Sequence, residues 1–377
     1  MRSLKPNFYT DSLCSSSASS LRIPSIFPNG FRCQAVAPTT VTLFGGGYAG
    51  TSTSTVAISM LANVSGGLIF SGSGAITLSG ASTYAGATDV QNGALQLTGS
   101  LNAATTLNLG NGSNSGKFIL GSATAAVNQP VAGLTTAGSG TSNAVVGGFT
   151  TNSTLTVNTT AGTNTFAGAL GGAGTNENFL ALTKTGAGTL EITSANNTYT
   201  GGTTIGASQD AAVLRASATQ ALGSGAITFD TGGNASTARL ELAGGSSLNN
   251  AISLTGRTSS SVAIQNVSGS NTVSGTITLG IGGNNYWIQS DAGLLTLSGA
   301  TAITAASGAR TLTLQGAGNG AVSGVIQNGG GTVGIAKNDA GTWTLSGASS
   351  YTGDTTINGG TLTASLNILP VIIFCER

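Results

Sequence analysis

Short runs in which apolar and polar residues alternate recur along most of the chain. Typical runs are Ala75–Leu78, Thr106–Leu109 and Leu294–Leu297, and in the first two every second residue is aliphatic. Clusters rich in glycine, asparagine and serine separate these runs. Alternation with a period of two predicts short strands that bury one face, and the polar clusters predict the turns between them. We therefore predict an all-β chain.

A longer pattern is anchored on tyrosine and occurs three times. Counting from Tyr351, the residues at +2, +4, +6, +9 and +11 are glycine, threonine, isoleucine, glycine and leucine. The same series follows Tyr84, with valine at +6, and its first half follows Tyr199. We expect the glycines to form corners, where φ is often positive, and the ring of Tyr351 to close one of them. The predicted repeat units lie near residues 70–98, 182–216 and 335–365.

The strands are expected to stack as coils. Alternation continues from residue 41 to residue 365 with no helical period, which is longer than a single sandwich or barrel commonly runs. The runs also resemble one another, as the strands of stacked coils do. We predict a parallel β-helix over residues 41–365, with roughly 20–25 residues in each of about 13–16 coils. Trp343 and Leu345 should point into its narrow core, while the threonines beside them form ladders on the outside.

Composition narrows the functions that need to be considered. Charged residues make up 6% of the chain, where a typical soluble domain has roughly 25%. A disordered linker is the alternative for such a glycine-rich chain, but disorder gives no reason for regular alternation. The net charge is +1 and the basic residues are scattered, which excludes a basic patch for nucleic acid.

The absence of histidine and the small number of cysteines exclude several kinds of catalytic and metal-binding site. The chain has no histidine, which removes catalytic triads and most zinc sites. Cys14, Cys33 and Cys375 are too few and too far apart for a disulfide framework or a zinc cluster. We predict no cofactor and no metal site.

The two ends differ from the body of the chain. Residues 1–40 hold four of the six prolines and lack the apolar core of a secretory signal, and we predict that this segment is disordered. Its arginine and serine content is weakly similar to a transit peptide, and a misplaced gene start would give the same composition. Residues 366–377 are predicted to form an irregular tail. The apolar run at 369–374 is far shorter than the ~20 residues of a membrane helix.

The residues around the tyrosines resemble a known repeat. The pattern L-x-K-x-G-x-G-T-L-x-L-x-G-x-N-x-Y-x-G-x-T-x-I-x-x-G-x-L is followed from Leu182 to Ile205 and again from Lys337 to Leu362, while Phe70 stands at the lysine position of the first copy. This is similar to the autotransporter-associated β-strand repeat in passenger regions of bacterial type V secreted proteins. The resemblance implies a right-handed β-helix that is secreted or displayed on the cell surface. Without an export signal or a membrane barrel in this sequence, we expect a fragment.

Acidic residues are the remaining candidates for catalysis. β-Helical polysaccharide lyases and hydrolases need two or more carboxylates that converge in a groove. Asp210 and Asp230 lie twenty residues apart, about one coil, although chance explains this spacing equally well. Glu191 and Glu241 alternate with leucines and should face water. We therefore predict no catalytic residue.

Our main hypothesis is a non-catalytic passenger stalk or adhesin. Surface glycans or neighbouring cells would be its partners, with no nucleic acid and no membrane-spanning segment in the chain. The alternatives are a β-helical polysaccharide lyase or hydrolase, and a truncated fragment without independent function.

Overall fold

A computed structural model describes residues 66–207, 210–229 and 236–364, together with short strands at 13–14, 20–23, 32–33, 40–43, 54–56 and 372–374. Most of the predicted disordered segment (1–40) and of the predicted irregular tail (366–377) lies outside the described residues. The described part of the chain is all-β and contains no helix. Its contacts divide the chain into two compact units, residues 1–153 and 154–377.

The first unit is built from short strands that stack in two parallel sheets. Its strands are β1 (Leu13–Cys14), β2 (Ser20–Ile23), β3 (Arg32–Cys33), β4 (Thr40–Leu43), β5 (Ser54–Val56), β6 (Leu68–Phe70), β7 (Ala75–Leu78), β8 (Thr88–Val90), β9 (Gly93–Leu97), β10 (Thr106–Leu109), β11 (Gly116–Leu120), β12 (Gln129–Val131), β13 (Gly133–Thr136) and β14 (Ala144–Gly147). One sheet has the order β13-β10-β8-β6-β4-β2 and the other contains β14-β11-β9-β7-β5. Strands β1 and β3 form a separate parallel pair.

The second unit has three sheets of the same kind. Its strands are β15 (Ser153–Asn158), which begins at the last residue of the first unit, β16 (Thr163–Phe166), β17 (Ala169–Leu170), β18 (Leu180–Thr185), β19 (Thr189–Ile192), β20 (Thr203–Ile205), β21 (Val213–Ala216), β22 (Ile227–Phe229), β23 (Arg239–Leu242), β24 (Ser247–Leu248), β25 (Ile252–Gly256), β26 (Val262–Asn266), β27 (Ser270–Val273), β28 (Ile277–Gly282), β29 (Asn285–Ser290), β30 (Leu294–Leu297), β31 (Thr301–Ala305), β32 (Gly308–Gln315), β33 (Asn319–Val322), β34 (Val325–Ile326), β35 (Gly331–Lys337), β36 (Thr342–Leu345), β37 (Thr355–Ile357), β38 (Thr361–Ala364) and β39 (Ile372–Phe374).

Strands in these three sheets follow one another turn by turn. The orders within the second unit are β15-β18-β20-β22-β25-β28-β31-β34, then β16-β19-β21-β23-β26-β29-β32-β35-β37-β39, and finally β24-β27-β30-β33-β36-β38. A strand therefore pairs in parallel with the strand one turn further along the chain. Parallel pairing requires a long connection, and here the other walls of the same turn provide it.

The parallel strands form β-solenoid structure of about 12 turns in the two units together, which confirms the predicted parallel β-helix. Hydrogen-bonded side chains on successive turns lie from 17 residues apart, as in Thr88 and Thr105, to 27 residues apart, as in Asn108 and Thr135. The turns therefore vary in length on both sides of the predicted 20–25 residues, and their number is slightly below the predicted 13–16.

Aliphatic side chains stack inside the second unit. One continuous register joins six strands from β19 to β32, and the inward residue of each is fully buried. Burying an aliphatic side chain contributes about 1.5–3 kcal/mol. Because each turn covers the aliphatic residue of the next, the stack supplies the core that a single turn lacks. Its members are Leu190, Leu214, Leu240, Ile264, Ile288 and Leu314.

Two predictions about the last repeat are confirmed and one is refined. Trp343 and Leu345 are fully buried while Thr342 and Thr344 are partly exposed. Gly360 has a positive φ of 67°, as expected of a corner glycine. Gly353 serves another purpose: a Cβ atom there would lie 2.5 Å from the carbonyl oxygen of Val333. Close approach between turns, and not backbone handedness, therefore requires glycine at that position.

The second predicted repeat unit, residues 182–216, ends on a strand: β21 pairs with β19 from Val213 to Ala216. Within the described residues, no helix is long and apolar enough to cross a membrane.

Candidate functional site

The tyrosine of every repeat is buried at a corner and bonds to a buried threonine four residues later. The two hydroxyl oxygens are 2.6–2.7 Å apart in all three repeats. Each tyrosine is at most 2% exposed, and so is each threonine. The ring therefore closes the corner as predicted, and the threonine hydroxyl provides the partner that a buried phenol needs. The pairs are Tyr84 with Thr88, Tyr199 with Thr203, and Tyr351 with Thr355.

Burial makes these phenols hard to ionise. Desolvation raises the pKa of Tyr84, Tyr199 and Tyr351 above the ordinary value of 10.0, and the hydrogen bond from each threonine opposes the shift only in part. The negative charge of Asp89 raises the pKa of Tyr84 further. A phenol that stays protonated in the folded chain while it ionises in the unfolded chain links stability to pH.

Alkaline pH should destabilise the tyrosine corners. Below pH 10 the phenol is protonated in both states, so its contribution is fully present. Above pH 10 the unfolded tyrosine loses its proton first, and the free energy of unfolding should fall by up to about 1.4 kcal/mol per pH unit for each tyrosine. In urea unfolding at pH 8, Tyr199→Phe should be about 1 kcal/mol less stable than the wild type, because it loses the bond to Thr203. This difference should shrink from pH 10 to pH 11.

The comparison with the phenylalanine variant removes a competing effect. Burial lowers the pKa of Lys184 from 10.5 to about 8, and the charge of Asp210 opposes this. The folded lysine therefore loses its proton before the unfolded one, which raises stability between about pH 8 and 10.5. Both proteins contain Lys184, so its effect cancels in the difference. A stability difference that stays constant up to pH 11 would contradict the tyrosine prediction.

Lys184 is fully buried and its ammonium group points at backbone carbonyls. It donates to the carbonyl of Thr185, to that of Gly186 at 2.7 Å and to that of Thr159, one turn earlier, at 3.4 Å. The amide of Gly186 in turn donates to the carboxylate of Asp210 on the next turn, at 2.5 Å. Lysine is almost never fully buried unless paired, and here the carbonyl oxygens and one carboxylate compensate its charge.

Lys337 repeats this arrangement in the last repeat. It is fully buried and donates to the carbonyls of Asn338, of Asp339 at 2.7 Å and of Gly359 at 3.1 Å. Burial lowers the pKa of Lys337, and Asp339 opposes the shift. In the first repeat the same position is Phe70, which is also fully buried. The lysine is therefore a structural residue of the corner, and in the first repeat a large apolar side chain takes its place.

Of the two acidic residues considered for catalysis, the described structure places only Asp210. Asp210 accepts hydrogen bonds from the amides of Gly186 and Ala211, at 2.5 and 2.7 Å. Asp230 lies outside the described residues. Among the residues that are described, no group of three or more acidic or cysteine side chains is arranged to hold a metal ion. The carboxylate of Asp210 thus has a structural partner of its own.

A column of polar side chains runs along the outer face of the sheet that contains β19 to β32. In the register of these strands each polar residue directly follows one of the buried aliphatic residues. Two pairs within the column bond to each other: Arg215 donates to Glu241 at 2.9 Å and Gln315 donates to Gln289. Gln265 donates to Asp291, just outside the column, at 2.6 Å. Such cross-strand pairs contribute about 0.2–1 kcal/mol each. The column consists of Glu191, Arg215, Glu241, Gln265, Gln289 and Gln315.

The prediction that Glu241 faces water is wrong. Its side chain is 4% exposed and forms ion pairs of 2.7 Å with both Arg215 and Arg239. Arg215 on the neighbouring strand β21 and Arg239 on the same strand β23 cover the carboxylate, and they remain 30% and 36% exposed. Glu191 is half-buried and accepts a hydrogen bond from Ser217 at 2.7 Å. The polar column therefore leaves few free charged groups on this face.

An open cavity of about 310 Å³ lies over β32, β35 and β37 in the second unit. Gly334 lies in its wall between two strands: a Cβ atom there would be 3.1 Å from the backbone oxygen of Asp354 and 3.7 Å from the hydroxyl of Thr311. A methyl group at this position would therefore narrow the cavity wall and press on the backbone oxygen of Asp354. The polar and charged residues in its lining are Arg310, Thr311, Thr332, Asp354 and Thr356.

Sequence analysis missed the inward threonines, the buried lysines and the cavity. We assigned threonine to the outer face, yet the threonine at +4 from each tyrosine is buried. The signal was present in the recurrence of that interval after all three tyrosines. The cavity had no such signal, because its walls come from three turns of the chain.

A family model for the passenger-associated-transport repeat matches residues 68–97, 182–207 and 335–364. These ranges overlap the three repeat units that were predicted from the tyrosine pattern. Comparison with curated proteins and with solved structures finds no match to this chain.

Proposed function

We propose that this chain, which carries three passenger-associated-transport repeats on a β-solenoid, is a non-catalytic structural or adhesive passenger of an autotransporter-like surface protein. The repeats and the solenoid fit an autotransporter passenger, and the repeat family implies a location that is secreted or on the cell surface. The structural or adhesive role is our inference.

The observation that carries this proposal is the way charged groups are used. Asp210, Glu241 and Lys184 each bond to backbone groups or to oppositely charged side chains of neighbouring turns. A general acid or base needs a carboxylate that is free to approach a substrate. In the described residues these charges instead fasten one turn to the next, which is the requirement of a stalk.

The outer faces suit repeated weak contacts. Parallel turns place polar side chains at intervals of about 4.8 Å along a sheet, so a partner would meet the same chemistry several times. Many weak contacts presented together bind more tightly than one. Surface glycans or neighbouring cells are therefore the proposed partners.

Two measurements test this proposal. The chain should release no reducing or unsaturated sugar ends from a panel of polysaccharides, and antibodies against it should label intact cells that produce the complete gene product. Turnover that is abolished by both Asp210→Asn and Asp230→Asn would support a polysaccharide lyase or hydrolase instead. Asparagine at position 210 keeps an acceptor for the amide of Gly186, so that loss of activity would not simply reflect unfolding. Absence of labelling on intact cells would argue against surface display.

A further inference from the structure

The cavity over β32, β35 and β37 contains polar groups that the solenoid itself does not use. The Nε atom of Arg310 is buried and has no hydrogen-bond partner in the described structure. A buried N–H without a partner is costly, so the guanidinium is not fully satisfied by the protein, and Arg310 lines the cavity. Asp354 is exposed at the same cavity. Its backbone oxygen accepts the amide of Ile335 at 2.9 Å, which fixes its position beside Gly334.

We propose that this cavity binds one carboxylate-bearing sugar unit of a glycan, such as a hexuronate. The inference rests on the proposed adhesive role and names the class of partner for it. The guanidinium of Arg310 presents planar N–H donors that match the two oxygens of a carboxylate. The carboxylate of Asp354 accepts hydrogen bonds from sugar hydroxyls, and the threonine hydroxyls both donate and accept.

The charges at the cavity favour this ligand over phosphate. Arg310 and Asp354 bring one positive and one negative charge to the same site. A phosphate dianion would be repelled by Asp354, and it has no hydroxyl to donate to it. A hexuronate carries a single negative charge for Arg310 together with several hydroxyl donors for Asp354. The same pairing disfavours a neutral sugar, since that would leave the arginine without its anion.

The size of the cavity favours a single sugar unit. Its volume of about 310 Å³ is at the lower end of the ≈300–1,000 Å³ that ligand sites commonly occupy. The open side leaves room for the rest of a glycan chain to continue. Three threonines, Thr311, Thr332 and Thr356, line the cavity from three successive strands or their flanks, so hydroxyl groups on different edges of a ring all find partners.

The test uses the full chain and two sugars that differ only at C6, where one has a carboxylate and the other a hydroxymethyl group. Methyl glucuronide is titrated into the protein and followed by NMR or calorimetry, and methyl glucoside, the neutral counterpart, is titrated in parallel. We expect the glucuronide to bind at least about tenfold more tightly. Arg310→Gln should weaken glucuronide binding at least about tenfold, and Gly334→Ala should do the same by filling the cavity while leaving the charges in place.

Matched controls separate the cavity from general charge and folding effects. Lys117→Gln removes one positive charge from the first unit, and Gly74→Ala adds a methyl group where nothing lies within 4 Å. Both should bind glucuronide as the wild type does. Circular dichroism spectra and unfolding midpoints of all four variants show whether each is folded. Because Gly334→Ala and Arg310→Gln act on different walls, a folding defect in one leaves the other as a test.

Several outcomes would overturn the inference. Equal affinity for the charged and the neutral sugar would show that Arg310 does not bind the carboxylate. Binding of inorganic phosphate in place of glucuronide, or no binding of any of these probes, would also reject it. These results leave the passenger proposal intact, which depends on surface labelling and on the absence of sugar release. Conversely, sugar release by the chain would reject the passenger proposal without deciding what the cavity binds.

Discussion

Replacing Trp343 by alanine should destabilise the second unit by about 3–5 kcal/mol, the range for truncating a large buried aromatic side chain. Trp343 is fully buried, and its indole N–H donates to the carbonyl oxygen of Gln315 at 3.3 Å. Its ring fills space that Gly320 on the preceding turn leaves open: a Cβ atom on Gly320 would lie 2.3–2.4 Å from ring atoms. Alanine would leave a cavity between two turns that a glycine cannot fill.

Urea unfolding, followed by far-ultraviolet circular dichroism, measures this loss. Trp343→Phe is the matched control, because it keeps an aromatic ring and loses only the indole hydrogen bond, and it should cost less than the alanine variant by at least about 2 kcal/mol. Since each turn contacts only its neighbours, limited proteolysis should cut the alanine variant first near β33 and β36. An alanine variant within 1 kcal/mol of the wild type would show that the interior around Trp343 is not closely packed.

Asn197→Ala should cost about 3–5 kcal/mol, because one buried amide satisfies three backbone groups. The side-chain oxygen accepts the amide of Leu170 at 2.7 Å, and its nitrogen donates to the carbonyls of Ser194 at 2.7 Å and Ala221 at 2.9 Å. Asn197 is 6% exposed. Each polar group left buried without a partner costs about 1–3 kcal/mol. Leu170 and Ala221 lie on the turns before and after, so Asn197 joins three turns.

The neighbouring residue provides the control. Asn196 is exposed, and Asn196→Ala should change the free energy of unfolding by less than about 0.5 kcal/mol. Asn197→Asp keeps the acceptor for Leu170 but presents a negative charge to two carbonyl oxygens, so it should be at least as damaging as alanine. The same urea measurement applies. Similar losses for the two alanine variants would mean that the three hydrogen bonds carry little net stability.

These expectations share a physical basis. Most of the interactions that hold the second unit together join residues about one turn apart, such as Arg215 and Glu241, which are 26 residues apart in the sequence. Buried aliphatic side chains, including the aliphatic stack, supply the apolar contacts between turns. Buried polar residues such as Asn197 and Lys184 supply hydrogen bonds to backbone groups at the corners. Losing either kind of contact therefore weakens the joint between turns.

Local pattern was enough to predict the strands and the spacing of the turns. Alternation in β10 and β30 marks a strand whatever surrounds it, because successive side chains of any extended chain point to opposite faces. The tyrosine pattern located the three repeats for the same reason: corner glycines such as Gly360 need a conformation that only a few residues adopt easily. These are properties of a few adjacent residues.

Local sequence pattern could not predict which polar side chains are buried. Glu241 follows a buried leucine and should face water on the strand pattern alone, yet Arg215 on the preceding strand and Arg239 on the same strand cover it. Lysine is normally a surface residue, yet the ammonium group of Lys184 lies among backbone carbonyls of its own corner and of the previous turn. Their environment depends on which turn is stacked against which.

The sequence by itself determined that this chain is all-β, that it coils in parallel turns of about two dozen residues, and that three of its segments match the passenger-associated-transport repeat, because these features reside in periodicity and in short motifs. Only the tertiary structure decided which polar side chains are buried and where a ligand has room. The cavity beside Gly334 exists because a glycine on β35 is flanked by Thr311 and Asp354 from the turns on either side. The register between turns brings these residues together, so no short segment of the sequence predicts the cavity.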